Sequence, residues 1–166
     1  LPHFFHNKPI HSFFKEKIMA TFFGKKATAP AFSPVSSAVG SFVDSYSATA
    51  NFTAADDIKL VRIPAGTEIA TVHIQSDDLD TNGTPTIVFR VGYTPCDTGS
   101  SLAANSTYFA AAGQATAQAG GRLECSFKPI TFQEDVYLWV TINTASATFA
   151  AGDIHGIVMG ACNGPK

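Results

Sequence analysis

IKLVRIPAGTEIATVHI, residues 58–74, places two runs rich in isoleucine, valine and leucine on either side of Pro64-Ala65-Gly66-Thr67. Proline presets φ for a turn and glycine tolerates φ > 0, so the chain bends here between two strands. The β-branched residues of both runs suit a pleated, half-buried surface, and no helical period fits them. The rest of the chain repeats this pattern of a short apolar run, a Gly/Pro/Asp/Asn cluster, and another apolar run.

Upstream, residues 41–47 have the β character of a first strand, and residues 51–57 read as a loop before the strands at 58–63 and 68–74. Downstream, residues 76–85 are a polar connection of turn formers. Ile87, Phe89, Val91 and Tyr93 then alternate against Thr86 and Arg90, the period of a strand with one face buried. Residues 94–105 read as a long loop. The Ala-rich stretch 107–118, interrupted by Gly113 and stopped by Gly120-Gly121, is the one segment with helical composition and predicts a short helix. Short strands follow at 123–127 and 130–132. At 136–143, Val136, Leu138, Val140 and Ile142 share one face, with Tyr137 and Trp139 on the other, so both faces are covered. A last strand spans 154–161. Seven or eight short strands separated by turn signals predict an all-β protein, an antiparallel β-sandwich of jelly-roll or Greek-key type. Residues 39–166 form that domain, and residues 1–38 form an extended N-terminal arm, Pro/Ala/Ser-rich over 24–38.

Composition narrows the function. At 166 residues the chain is of single-domain size. Charged residues are 14% and the formal net charge is −2, which argues against a nucleic-acid binder dependent on many phosphate contacts. Low charge with abundant Ala, Thr, Ser and Gly suits an assembly-type β protein better than a metabolic enzyme. No apolar run approaches the roughly 20 residues of a membrane helix. Cys96, Cys125 and Cys162 are odd in number and widely spaced, which fits isolated thiols better than a disulfide framework.

The basic residues are uneven. Lys8, Lys15, Lys17, Lys25 and Lys26 place five of the eleven in the first 26 residues. Residues 1–18 admit two readings. Lys15-Glu16 can be encoded by AAGGAG, a ribosome-binding sequence, a short step before Met19, which would make 1–18 an untranslated leader. Read as protein, the segment carries phenylalanine pairs at a nine-residue step: Phe4-Phe5, Phe13-Phe14 and Phe22-Phe23. Bare phenylalanines on an arm call for grooves on a partner or a sister subunit. His3, His6 and His11 lack the cysteine partners and spacing of a zinc module.

Several short motifs suggest chemistry and then fall short of it. Asp78, Asp80 and Asn82, with Gly83, match the opening of an EF-hand loop, where alternating oxygen ligands converge on Ca²⁺. Phe89 stands where the closing bidentate glutamate belongs, so this is a weak metal candidate and reads first as an Asx-rich turn. Asp97-Thr98-Gly99-Ser100 reproduces an aspartic-protease tetrad, yet it occurs once and follows Thr94-Pro95-Cys96 rather than an apolar strand. His73 and His155 sit in strands as structural histidines. No nucleophile elbow, phosphate loop, dinucleotide fingerprint or zincin motif is present, so neither catalysis nor a cofactor is expected. Trp139, Tyr137 and Phe132 offer a sugar-binding platform as the alternative to simple packing.

Three stretches, VRIPAGTEI (61–69), SDDLDTNGTPTIVFRVGY (76–93) and YFAAAGQATAQAGG (108–121), resemble small head decoration (cement) proteins of tailed bacteriophages. The resemblance implies a β-sandwich with no catalytic site, bound to the phage major capsid protein on the virion surface after synthesis in the host cytoplasm. It further implies a homo-oligomer, dimer or trimer, and a short helical piece at 108–121. Under that reading Phe22, Phe23, Lys25 and Lys26 are the candidates for first contact, aromatics for buried area and lysines for acidic capsid surface. The alternative is a carbohydrate- or receptor-binding module of a phage tail or fibre.

Overall fold

A computed structural model describes residues 19–28 and 38–163. Among the described residues there are ten strands: β1 (Thr21–Phe23), β2 (Ala38–Ala48), β3 (Asp57–Ile63), β4 (Thr67–Ser76), β5 (Val88–Pro95), β6 (Asn105–Gln114), β7 (Gly121–Glu124), β8 (Ile130–Thr131), β9 (Val136–Thr144) and β10 (Gly152–Cys162). One sheet has the order β1-β3-β9-β5-β6, and the other has the order β2-β10-β4-β7, with β8 also paired to β4. We call them the β9 sheet and the β10 sheet. All pairings are antiparallel except β1 with β3. The all-β sandwich expected from the sequence is the fold observed.

The 58–74 stretch does not close a hairpin. Its first run, β3, lies in one sheet and its second, β4, in the other, so the turn carries the chain across the sandwich. Gly66 adopts φ 75°, a conformation that disfavours any residue with a Cβ, and its N–H donates to the Phe132 carbonyl. Ile58, Leu60 and Ile63 from one side of this turn, and Ile69, Val72 and Ile74 from the other, are buried against Val136, Leu138, Val140 and Ile142 of β9. Alternation therefore places the core as the sequence indicates: Ile87, Phe89, Val91 and Tyr93 are buried, while Arg90 lies on the opposite face.

The helix expected over 107–118 is not formed. Residues 105–114 are strand β6, and only Thr116–Gln118 make a single 3₁₀ turn. Two causes outweigh the alanine content. A helix here would leave the outer edge of β5 without a strand partner, whereas β6 pairs with β5 from Phe89 to Tyr93. Phe109 is also drawn into the core, 4.8 Å from Phe127 and 6.4 Å from Tyr93 between ring centroids. Gly113, at φ 97°, absorbs the irregular end of this strand.

The arm expected over 1–38 is described in part. Residues 19–28 lie against the sandwich, and the remainder up to residue 37, including the expected leader, falls outside the described residues. Strand β2 begins at Ala38, three residues ahead of the expected start.

Candidate interaction surface

The motifs that suggested chemistry are built into the frame. Asp80 is 1% exposed, and its carboxylate is surrounded by donors. The Thr86 and Ala147 N–H groups donate to Oδ2 at 2.7 and 2.8 Å, and the Thr148 N–H donates to Oδ1 at 2.8 Å. The Ile87 N–H adds a longer bond of 3.3 Å to Oδ2. Burial by itself would raise the Asp80 pKa. The four backbone donors outweigh it and hold the carboxyl well below the usual carboxylate range. Both oxygens of this carboxylate are thus engaged by backbone donors. Asp78 and Asn82 likewise accept from the Asp80 and Thr84 N–H groups at 2.9 Å each, the local geometry of Asx turns. Among the described residues no three His, Cys, Asp or Glu side chains are grouped as metal ligands.

Asp97 caps its own turn, accepting from the Gly99 N–H at 2.8 Å. The proposed sugar platform is not assembled, because Phe132 is buried 4.6 Å from Tyr93 while Tyr137 and Trp139 stand on the outer face of β9. Cys96, Cys125 and Cys162 are free thiols, and burial pushes the Cys96 pKa up to about 11 and that of Cys125 to about 12, which suppresses thiolate reactivity. Among the described residues no helix is long and apolar enough to cross a membrane.

The four arm residues are brought together at one edge of the sandwich. Strand β1 adds in parallel to β3, so Phe22 sits opposite Ile58 and Phe23 opposite Lys59. Phe22 turns inward, with its ring 5.2 Å from Tyr46 and 5.6 Å from Phe52. Phe23 turns outward, edge-on to Tyr137 at 6.0 Å, and the Lys59 ammonium lies 5.4 Å from its ring. The Lys25 N–H donates to the Ser45 carbonyl and the Lys26 N–H to the Asp44 carboxylate, which fastens this corner to β2. Both lysine side chains are exposed. Phe22 therefore has a partner within the chain, and the outward-facing set is Phe23, Lys25 and Lys26.

A second surface emerges only from the fold. Register places Val39, Ser41 and Val43 of β2 beside Ala161, Met159 and Ile157 of β10 on the outer face of the β10 sheet. Thr71 of β4 continues the Met159 row. Val39 is 82% exposed, Val43 44% and Met159 39%, so an apolar stripe faces outward. At its Cys162 end the stripe deepens into a groove of about 340 Å³ lined by Val39, Ala70, Thr71, Pro129, Met159 and Ala161, with Gly160 at its base and Glu68 at its rim. Outward apolar surface of this kind is a candidate for an interaction site. Sequence reasoning placed these strands but not the stripe. The available signal was that 157–159 and 39–43 carry apolar residues on both alternating faces, as a strand covered on both sides does.

No protein-family model matches the chain, and no curated protein matches it. Among solved structures the sandwich is similar to chains of phage capsids. A chain of the cyanophage Pam1 capsid asymmetric unit aligns with a TM-score of 0.59 and 27% identity, over 81% of this chain and 94% of that one. A chain of the capsid of Ralstonia phage GP4 aligns with a TM-score of 0.61 and 22% identity, over 89% of this chain and 100% of that one. The GP4 likeness is one of fold, and the Pam1 likeness one of sequence as well. The protein is related to phage capsid chains.

Proposed function

We propose that this chain is a virion structural protein that binds an assembled phage capsid and stabilises it, a decoration or cement role with the major capsid protein as partner. The observation that carries the reading is the extent of the matches. This chain spans 94% and 100% of the two capsid chains, so each is a small chain of about this size, matched whole rather than as a fragment of a larger shell subunit. The open surfaces support it, because Phe23, Lys25 and Lys26 combine buried-area potential with positive charge and the β10-sheet stripe is apolar. No catalytic step is needed. A protein that binds the assembled shell and not its free subunits shifts the balance toward assembly by mass action. Its place is the virion surface.

The test is to add purified chain to capsids that lack it. Saturable co-sedimentation and a higher temperature of capsid opening are expected, both weakened by the triple change Phe23→Ala, Lys25→Ala, Lys26→Ala. Absence of binding at micromolar concentration contradicts the reading.

A further inference from the structure

The Phe22-Phe23 pair shows how an arm phenylalanine pair behaves on this fold: it joins the edge of β3 and packs against Tyr46, Phe52 and Tyr137. Phe4-Phe5 and Phe13-Phe14 are earlier members of the same nine-residue series, each followed by a lysine within three residues. The site beside β3 is filled by the third pair. Among the described residues nothing fills the groove on the opposite sheet, which is apolar and carries one charged lining residue, the carboxylate of Glu68.

We infer that Phe13 and Phe14 of one copy dock in the Val39–Met159–Ala70 groove of a second copy, with Lys15 beside Glu68. Two apolar rings match an apolar groove, and the basic residue after them matches the acidic rim. Reach decides that the groove belongs to another copy. The described part of the arm begins at Met19, next to the point where the Ala20 N–H donates to Asp56 and the Asp57 N–H donates to the Ala20 carbonyl. That is the Ala48 end of β2, since Phe22 lies level with Tyr46. The nearer wall of the groove, Met159, is level with Ser41, seven strand residues from Ala48, about 23 Å at the rise of a strand, and it lies on the outer face of the other sheet. Phe14 precedes Met19 by five residues, at most ~18 Å of fully extended chain. It cannot reach its own groove. Arm-to-groove contacts are heterologous, so they close into a ring when the rotation allows and otherwise run on as a filament.

The inference concerns self-association and is independent of capsid binding. Sedimentation of the full chain from Leu1, without capsids, is expected to show a finite oligomer that dissociates on dilution. Phe13→Ser with Phe14→Ser, and separately Met159→Glu at the exposed groove wall, are each expected to weaken it at least tenfold while leaving the melting temperature of the dissociated monomer, measured at high dilution, unchanged. Glu68→Lys is expected to weaken it and Lys15→Glu to restore it in the double variant. A monomeric full chain, an oligomer indifferent to these changes, or a virion-derived protein whose intact mass begins at Met19 overturns the inference. Capsid co-sedimentation of the same variants is a separate readout, so loss of one association without the other tells the two readings apart.

Discussion

The Asp80 loop and the outer face of the β10 sheet are opposites. The loop is dense in carboxylates and amides, and its central carboxylate accepts several backbone N–H groups. The face has small and apolar residues, among them Val39, Val43 and Met159, exposed with little of the described chain laid over them. Residue types associated with chemistry here hold the frame, and bland residues form the surface left for neighbours. In a structural protein, an occupied polar group contributes to stability, whereas an uncovered apolar group indicates where binding energy is still available.

Variants that separate stability from association put this contrast at risk. Asp80→Ala removes the shared acceptor of four backbone N–H groups and leaves the buried Ile87 N–H without its partner, and it is expected to lower the melting temperature more than any other change named here, as read by calorimetry. The same site has a pH signature. Asp80 titrates lower folded than unfolded, so its contribution is full above the ordinary carboxylate pKa of about 3.9 and is lost as the pH falls from there toward the folded value. Wild-type melting should therefore drop on acidification below about pH 4, and Asp80→Asn should drop less steeply. Phe22→Ala, which empties a half-buried aromatic contact, is expected to cost about 2 kcal/mol in urea unfolding. Arg62→Ala breaks a 2.7 Å ion pair with Asp135 that is partly open to solvent, and about 0.5 kcal/mol is expected. Met159→Glu should move stability least, within about 0.5 kcal/mol. It should nevertheless weaken self-association most, and a large loss of stability there would erase the distinction between frame and face.

Much of the frame was legible in the sequence because it depends on alternation. Ile87 to Tyr93 and Val136 to Ile142 declare an inward face without knowledge of their partners. The 107–118 segment was misread because its alanines favour a helix, while the decisive force, the edge of β5 that needs a strand, lies elsewhere in the chain. The 58–74 turn was legible as a bend, but not as a crossing between sheets, since a turn's residues do not specify which strands pair. The outward stripe was hardest to see. It consists of residues from β2, β4 and β10 that register alone brings side by side, and the apolar residues on both alternating faces of 39–43 and 157–159 are the one hint of it in the chain. Among the arm residues, sequence identified the cluster, while the fold divided it into an inward Phe22 and an outward Phe23.

Copy number tests the central claim most directly. Quantitative mass spectrometry of purified virions should find this protein in a fixed ratio to the major capsid protein, at a stoichiometry set by the capsid lattice. Its absence from virions, or a handful of copies per particle as for a tail component, would contradict the account.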